Sequence, residues 1–428
     1  MKLVAAGLLA CFTFPVQAQE ARPLPAQPDS LQAQPDSLQP GDPVFLPGPV
    51  PEYWSPANRG VFPEQGNIPD TLALVDTIPV QVPAPALSDS MLWSYLEEEP
   101  LRQKGALTVI GTGDIMLGTN YPFESYLPPG GDCSPLLRPV HDVLRSGDLL
   151  FGNLEGGFCS EGGTPKACRD LSRCYVFRMP DRFLSCIVEA GYDVLSVANN
   201  HVNDFGPEGR AQTADLLDSA GIAYAGFVTH PWSLFEKDGV RYGFAAFSPN
   251  QGTMSILDYR KAAEITAMLD SLADVVIISV HGGAEGKEHQ HVVRGDEEYL
   301  GENRGSVYRF AHTVVEAGAD VVFGHGPHVT RAVELFRGRL ICYSLGNFAT
   351  YGRFNLSGPN GIAPIMKVTM DREGEFLRGE VVPVYQAGEG GPRIDPEGRV
   401  IEKLKELTES DFPDQELVVD SDGILWRK

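Results

Sequence analysis

The fold of this chain depends on two features of a single stretch, Val321-Val322-Phe323-Gly324-His325-Gly326-Pro327-His328. Its three apolar residues predict a short buried strand, and the glycines and the proline end that strand abruptly. His325 and His328 follow on a turn, where neither can fill the core face of a helix. Because neutral imidazole is a frequent transition-metal ligand, the stretch alone favours a metal site and two surface histidines about equally.

Before this stretch, apolar runs alternate with amphipathic segments. Predicted helices cover residues 136–145, 181–190, 208–220, 261–272 and 307–317. Predicted strands cover residues 107–110, 149–152, 194–198, 242–248, 275–280 and 321–323. This alternation predicts βαβ units with right-handed crossovers and a largely parallel sheet. Three later strands follow without long helices, which indicates antiparallel pairing of residues 340–344, 365–370 and 379–384.

Ligand-type side chains follow five of the predicted strands at the point where each strand ends. In a parallel sheet these ends open on one edge, so residues distant in sequence converge there. Carboxylates, an amide and several imidazoles form the donor set that suits Zn, Mn or Fe. The sequence therefore predicts one metal-binding site that contains Asp114, Glu155, Asn200, His201, His281, His325 and His328.

Length and charge limit the organisation and the partners of the protein. The 428 residues allow two or three domains, or one large domain with appendages. The formal net charge of −23 argues against nucleic acid and against anionic membrane surfaces as partners. A cationic or metal-bridged ligand fits this charge.

The N-terminus is similar to an export signal. Lys2 precedes a mostly apolar run over residues 3–16, and Val16-Gln17-Ala18 offers a cleavage site. We therefore expect residues 1–18 to be a signal peptide and the mature protein to be exported, in the periplasm or cell envelope of a bacterium. We expect no transmembrane segment in the mature chain, because the apolar run is too short. The alternative is a lipoprotein processing box that ends at Cys11.

Residues 19–105 have the composition of a spacer. They are rich in Pro, Gln, Asp and Ser, and the unit Ala-Gln-Pro-Asp-Ser-Leu-Gln at 26–32 is repeated at 33–39. Such a segment buries too little apolar surface to offset its ordering entropy. We expect a largely disordered linker that ends where the alternating pattern begins.

Six cysteines follow the predicted signal peptide, an even number that permits disulfides in an exported chain. Cys159, Cys168 and Cys174 cluster in one polar loop, and we expect a local Cys168–Cys174 disulfide. Cys186 lies in a predicted helix and Cys342 in a predicted strand, so both are interpreted as small buried hydrophobic residues.

Six short motifs occur in a fixed order: Gly113-Asp114-Ile115-Met116-Leu117-Gly118, Gly152-Asn153-Leu154-Glu155, Ala198-Asn199-Asn200-His201, His281-Gly282-Gly283, Gly324-His325-Gly326-Pro327-His328 and Tyr343-Ser344-Leu345-Gly346-Asn347-Phe348. As an ordered set they resemble the CapA family of poly-γ-glutamate capsule synthesis proteins, a branch of the calcineurin-like metallophosphatase superfamily. The resemblance implies an α/β fold, an αββα sandwich of two mixed β-sheets flanked by helices. This domain would cover residues 106–428, with a C-terminal extension from about residue 386.

The resemblance also implies a centre for one or two metal ions. His281, His325 and Asn200 match the ligands of one metal, and Glu155 stands where a bridging aspartate is usual.

Asp114 and His328 match ligands of the other metal. That second site normally has a histidine two residues after the aspartate, where this chain has Met116. A thioether is a poor ligand for a hard dication, so occupancy by a single ion is an alternative.

His201 matches the histidine that assists the leaving group, so the resemblance implies a catalytic role for it. A hydrogen-bonded histidine that orders its loop is the alternative. The residues expected to support the ligands are Asn153, Asn347 and Glu285.

Other polar residues are weaker candidates. A solvated loop explains His289 and His291 better than a place in the site does. Asp148 precedes its strand and should therefore lie at the wrong edge of the sheet. Four arginines could bind an anionic substrate, although surface ion pairs explain them equally well: Arg178, Arg304, Arg331 and Arg353.

Two classes of function fit this set. The first is metal-dependent phosphoester hydrolysis linked to the synthesis of a capsule or another surface polymer, with His201 as general acid. The second is non-hydrolytic, metal-dependent binding or export of an anionic polymer such as poly-γ-glutamate. Both imply an anionic polymer or a phosphoester as ligand, and assembly partners in the cell envelope.

Overall fold

The computed structural model describes residues 105–168 and 174–428 of the chain. The predicted signal peptide, residues 1–18, and all but the last residue of the predicted linker, residues 19–105, lie outside the described residues. Within the described residues, no helix is long and apolar enough to cross a bilayer.

Strands and helices alternate over the first part of the described chain, as predicted. The strands are β1 Leu107–Met116, β2 Leu149–Leu154, β3 Val194–Ser196, β4 Ala223–Ala225, β5 Trp232–Lys237, β6 Val240–Phe247, β7 Val275–His281, β8 Glu297–Tyr299, β9 Glu302–Gly305, β10 Val321–His325, β11 Val333–Phe336, β12 Arg339–Cys342, β13 Asn347–Thr350, β14 Ile362–Met370, β15 Phe376–Tyr385, β16 Arg393–Ile394, β17 Leu417–Val419 and β18 Ile424–Arg427. The α-helices are α1 Ser134–Leu137, α2 His141–Leu144, α3 Leu184–Ala190, α4 Gly206–Ala220, α5 Tyr259–Asp270, α6 Val307–Glu316 and α7 Arg399–Asp411.

Sheet 1 has the strand order β17-β18-β15-β14-β1-β2-β3-β4, with β13 beside β1 and β16 beside β15. Strands β1 to β4 are parallel, whereas β14 is antiparallel to both β1 and β15. Strand β1 changes partner along its length. Its first half pairs with β14, and from Asp114 onward it pairs in parallel with β13, which brings Asn347 beside Asp114.

Sheet 2 has the strand order β11-β12-β10-β7-β6-β5. Its four central strands are parallel, and the edge strands β11 and β5 are antiparallel. The prediction of antiparallel pairing for residues 340–344 was wrong on one side, because β12 pairs in parallel with β10. Strands β11 and β12 form an antiparallel hairpin, so that β11 runs opposite to β10 and β12 runs in the same direction as β10.

The core between the two sheets is formed by the strand residues that face inward. Val109 and Phe151 of sheet 1 belong to the same buried cluster as Phe244 and Phe323 of sheet 2. The rings of Phe151 and Phe323 stack, with centroids 5.0 Å apart. Burial of each such side chain contributes about 1.5–3 kcal/mol, so this layer holds the sheets together.

Helices cover the outer face of each sheet. Ile110, which points away from the inner core, belongs to the buried cluster that also contains Leu217 of α4. On the other side, Ile278 of β7 packs with Phe310 of α6. The four layers are therefore helix, sheet, sheet and helix, which confirms the αββα sandwich of two mixed sheets.

The predicted helix over residues 136–145 is interrupted. It consists of α1, a 3-10 turn at Arg138–Val140, and α2. Pro139 explains the interruption, because proline has no N–H to donate to the preceding turn and its ring crowds that turn. The apolar spacing predicted the buried face correctly but not this break.

Two disulfides occur in the described residues. The predicted Cys168–Cys174 bond is present. A second bond joins Cys133 to Cys186, so the interpretation of Cys186 as a buried hydrophobic residue was wrong. The partners are 53 residues apart, and the fold rather than the local pattern brings them together. Cys342 is a free buried thiol, as expected.

Two glycines allow the connection between the sheets to pass close to both of them. A Cβ on Gly113 would lie 2.0 Å from the carbonyl oxygen of Gly346, and one on Gly324 would lie 2.3 Å from that of Tyr343. Gly113 directly precedes Asp114, and Gly324 directly precedes His325. The segment from Tyr343 to Gly346 therefore lies against strand ends of both sheets.

Candidate metal centre

The predicted ligands meet where the strand ends of the two sheets face each other. Sheet 1 contributes Asp114 near the end of β1, Glu155 directly after β2, and Asn200 after β3. Sheet 2 contributes His281 and His325, the last residues of β7 and β10, which are paired in register. Each sheet thus supplies one half of the site.

One amide holds the two carboxylates of the site together. Asn153 donates from Nδ2 to Asp114 Oδ1 at 2.8 Å and to Glu155 Oε2 at 2.7 Å. Both carboxylates are completely buried. Asn153 therefore bridges the two carboxylates, and its predicted role in supporting metal ligands stays a prediction.

The histidines of sheet 2 approach these carboxylates. His328 Nδ1 donates to Asp114 Oδ2 at 2.8 Å, and its Nε2 lies 3.8 Å from Glu155 Oε1. His325 Nδ1 lies 3.5 Å from Asp114 Oδ1, and His281 Nδ1 lies 3.5 Å from Glu155 Oε2. All three imidazoles and both carboxylates therefore converge on one buried region.

Several buried polar atoms of this region have no hydrogen-bond partner among residues 105–168 and 174–428. They are both ring nitrogens of His281 and of His325, Glu155 Oε1, Asn200 Oδ1 and Asn347 Oδ1. An unpaired buried polar group costs about 1–3 kcal/mol, so such a concentration requires a compensating partner. Nitrogen and oxygen donors of this kind fit a transition-metal dication.

The described residues do not contain three or more His, Cys, Asp or Glu side chains in metal-holding geometry. His328 and Asp114 are hydrogen-bonded to each other, and the amide of Asn153 occupies an oxygen of each carboxylate. The donor set fits a metal, and metal binding stays a prediction.

Burial and neighbouring charges shift the pKa values of the side chains in this site in different directions. Burial raises the pKa of Glu155 well above its usual value, and the charge of Asp114 raises it further. Burial acts in the same sense on Asp114, but contacts with His325 and His328 hold the pKa of Asp114 well below its usual value. Although burial opposes its charge, His328 has a pKa raised to about 10 by Asp114. A dication would favour the ionised form of both carboxylates.

His201 lies beside this region and has a different set of contacts. Its Nδ1 donates to Asp204 Oδ2 at 2.7 Å, and its ring stacks on Phe177 with centroids 4.2 Å apart. The other oxygen of Asp204 lies 2.5 Å from Lys166 Nζ. Burial lowers the pKa of His201, and the charge of Asp204 opposes this change. Asp204 therefore fixes the orientation of the imidazole, with Nε2 on the side of the ring that faces away from Asp204.

Asp204, Phe177 and Lys166 were missed by the sequence analysis. Only Asp204 had a usable signal, because His-x-x-Asp spacing in one turn lets the carboxylate reach the imidazole. Asn199 also contributes, since it accepts from His201 N at 3.0 Å and donates to the carbonyl of Leu154 at 2.7 Å.

Met116 is completely buried, and its Sδ accepts a weak hydrogen bond from the N–H of Gly118 at 3.3 Å. It packs against Gly156, in contact with the core on the outer face of sheet 1. The side chain is thus a core residue at the position where the resemblance implied a ligand.

The remaining candidate residues each have a hydrogen-bond partner that the structure describes. Asn347 contacts the turn that contains His328, because its Nδ2 donates to the carbonyl of His328 at 3.1 Å. Glu285 accepts from Arg304 at 2.6 Å. His291 donates to Asp411, and Asp148 accepts from Thr108 N at the opposite end of β1, as expected.

Two of the four candidate arginines have carboxylate partners within the described ranges. Arg331 is buried and donates from both Nη atoms to Glu297, at 2.8 and 2.7 Å. Arg304 pairs with Glu285. His289, a further candidate, accepts from Arg331 Nε through its backbone carbonyl at 2.8 Å. These arginines therefore order the loop after β7.

Two known proteins with similar sequences are described as biosynthesis proteins named CapA. Capsule biosynthesis protein CapA of Bacillus anthracis is 27% identical over 266 residues, which cover 58% of this chain and 60% of that protein. PGA biosynthesis protein CapA of Bacillus subtilis strain 168 is 24% identical over 278 residues, which cover 60% of this chain and 68% of that protein. The match thus spans less than two thirds of the Bacillus anthracis protein.

A crystal structure of a hypothetical protein from Thermus thermophilus aligns with 66% of this chain and 100% of its own, at 17% identity and a TM-score of 0.40. The family model described as bacterial capsule synthesis protein PGA_cap matches residues 108–351, more than half of the chain and the whole span of the six motifs. The chain therefore belongs to the PGA_cap family of bacterial capsule synthesis proteins.

Proposed function

We propose that this protein is a metal-dependent phosphoester hydrolase that acts in the synthesis of a capsule or another anionic surface polymer. The observation that carries the proposal is a set of four ring nitrogens, those of His281 and His325, which are buried beside two carboxylates and have no partner in the described part of the chain. No hydrogen bond from a described residue offsets their burial, and a dication would do so.

In this proposal the two sheets hold the metal jointly. His281, His325, Asn200 and Glu155 would hold one ion, and Asp114 with His328 a second where it binds. When bound, the dication supplies positive charge that polarises the phosphoryl group.

His201 would deliver a proton to the leaving group from Nε2. Asp204 holds Nδ1 and so directs Nε2 away from itself. An anionic phosphoester favours the protonated ring, because its charge adds to that of Asp204. Phe177 covers one face of the imidazole and excludes water from it.

The proposed setting is the bacterial cell envelope. The N-terminal export pattern and two disulfides support an oxidising compartment. Relatives described as capsule and PGA biosynthesis proteins support an anionic polymer, or a phosphoester precursor of one, as the ligand. Those descriptions equally support the second candidate, a metal-dependent binding or export factor without hydrolysis.

The test begins with metal content. The purified protein, treated with chelator and then loaded with Zn, Mn or Fe, should retain about one or two ions after desalting. His325→Ala should lose most of this metal and keep its circular dichroism spectrum. His291→Ala, which removes a surface histidine paired with Asp411, is the matched control and should retain the metal.

Loaded protein is then offered phosphomonoesters, phosphodiesters and poly-γ-glutamate. Metal-dependent release of phosphate or alcohol supports the hydrolase. Metal-dependent retention of the polymer without any turnover would favour the binding factor instead. Failure to bind any of the three metals at micromolar concentration would contradict both.

A further inference from the structure

Arg353 differs from the arginines that pair with carboxylates. It lies over the rings of Tyr126 and Tyr175, with its Cζ 5.0 and 5.1 Å from their centroids. Its one hydrogen bond within the described residues runs from Nη2 to the carbonyl of Cys174 at 3.4 Å. No carboxylate of residues 105–168 or 174–428 forms an ion pair with it.

The backbone places this arginine next to the metal centre. Tyr351 N donates to the carbonyl of Met116 at 2.9 Å, two residues beyond Asp114 on β1. Phe354, the neighbour of Arg353, meets the ring of His328 edge-on, with centroids 6.0 Å apart. The loop that contains Arg353 is therefore fixed at both of its sides.

An aromatic wall connects Arg353 to the catalytic histidine. Phe354 stacks on Phe177 with centroids 5.2 Å apart, and Phe177 stacks on His201 at 4.2 Å. A ligand at the metal centre would thus lie along a wall that has His201 at one end and a guanidinium at the other.

A half-buried cation without a carboxylate partner among the described residues is unusual in a protein with a net charge of −23. The tyrosine rings orient the guanidinium by cation–π contacts. The N–H donors of Arg353 that no described residue accepts form a planar fork that matches an oxyanion. Arg178 is also held over aromatic rings, but its Nε already donates to Asn120 Oδ1 at 2.6 Å.

We propose that Arg353 binds a second anionic group of the substrate, while the reacting phosphoryl group lies at the metal centre. The substrate class is then a phosphoester that carries a further oxyanion, either a carboxylate or a second phosphate. This inference rests on the proposed function and makes Arg353 a specificity-determining residue.

The test uses non-hydrolysable probes and measures binding by titration calorimetry of the metal-loaded protein. Phenylphosphonate has no second anion, 4-carboxyphenylphosphonate adds a carboxylate, and 1,4-benzenediphosphonate adds a second phosphonate. Propylphosphonate and 3-carboxypropylphosphonate repeat the comparison with a flexible spacer. The wild type should bind at least one doubly anionic probe ~10-fold more tightly than its singly anionic match, as expected for a charge-assisted bidentate contact.

In Arg353→Gln this preference should fall to about one, with the affinity for phenylphosphonate unchanged. Arg353→Lys keeps the charge without the planar fork and should give an intermediate preference. Arg294→Gln is the matched control, because Arg294 also lies over two rings, those of Tyr308 and Phe412, and donates to one backbone carbonyl. It should keep the wild-type preference.

A wild type without preference, a preference that survives in Arg353→Gln, or an equal loss in Arg294→Gln would each overturn the inference. If no phosphonate binds the loaded protein, the proposed function fails and this inference fails with it. Binding of phenylphosphonate therefore separates a failure of this inference from a failure of the proposed function. Comparison of the carboxylate and phosphonate probes shows which second anion Arg353 prefers.

Discussion

His201 differs from His281 and His325 in having a hydrogen-bond partner for its ring. Asp204 engages Nδ1 of His201, whereas all four ring nitrogens of the other two histidines are unpartnered within the described part of the chain. A ring fixed by a carboxylate is suited to proton transfer, and bare buried nitrogens are suited to metal binding.

The first prediction separates these roles. His201→Ala should retain the metal and lose turnover by ~10²–10⁴-fold, the usual contribution of general acid–base catalysis. His281→Ala should lose metal and turnover together. Metal analysis and steady-state kinetics on the same loaded samples give both values. Loss of metal in His201→Ala would show that this histidine is a ligand instead.

At the scale of single residues, the strand-end rule, by which polar residues that follow parallel strands converge, found the candidate ligands. No sequence pattern marked the residues that contact them. The rule selected Asp114, Glu155 and His281, because the position of a residue on a strand can be read from apolar runs. Lys166 reaches Asp204 from a loop, and Phe177 reaches His201 from another, so no periodicity marks either contact.

Between elements, Asp320 joins the central strands β7 and β10 at the end opposite the candidate metal centre. Its Oδ2 accepts from Val276 N at 2.7 Å, and its Oδ1 lies 3.3 Å from Arg339 Nε. Burial raises the pKa of this carboxyl group to about 6. The folded protein therefore binds this proton more tightly than the unfolded chain does.

The pH dependence follows from the sign of this shift. The contribution of Asp320 is fully present below pH 3.8 and is lost as the pH rises to about 6, a change of roughly 2–3 kcal/mol. In Asp320→Asn, the free energy of unfolding should fall less between pH 4 and pH 7 than in the wild type. Urea unfolding of metal-free protein at several pH values measures this difference, with the exposed Asp422→Asn as control. Parallel profiles for wild type and Asp320→Asn would contradict the assignment.

Elements were predicted where one pattern governed a whole segment. The strands β7 and β10 were found within one or two residues, because continuous apolar runs ended in a clear turn. The interruption at Pro139 was missed, because the apolar spacing of residues 136–145 continues through it. The Cys133–Cys186 bond could not be predicted from spacing, since it depends on the packing of α3 beside α1.

For the whole molecule, the candidate centre is a junction of two sheets. Carboxylates and an amide come from sheet 1, and imidazoles come from sheet 2. Neither sheet holds the complete set of donors, so metal binding requires both to be folded and in place.

We therefore expect metal to raise the melting temperature of the chelator-treated protein. A dication at 100 times its Kd adds about 2.7 kcal/mol to the folded state, which corresponds to a shift of several degrees. Differential scanning calorimetry with and without Mn²⁺ or Zn²⁺ measures the shift, which His325→Ala should abolish. A lower or unchanged melting temperature for the wild type would count against a site shared by the sheets.

The overall architecture was predicted through the ordered motifs rather than through periodicity. Alternating strands and helices alone indicated one largely parallel sheet, whereas the described residues form two large mixed sheets and a small two-stranded sheet of β8 and β9. The division into two sheets depends on which faces pack together, and inward and outward residues such as Val109 and Ile110 are equally apolar.

Gly113 and Gly324 give the molecule two positions that tolerate no substitution, although neither performs any chemistry. Any side chain there would strike the backbone that runs past both strand ends. A random mutagenesis screen for loss of function should therefore recover changes at these glycines as often as changes at the proposed metal ligands. Unless their folding were measured, such variants would be mistaken for active-site variants. A glycine without any chemical role would then be interpreted as a catalytic residue.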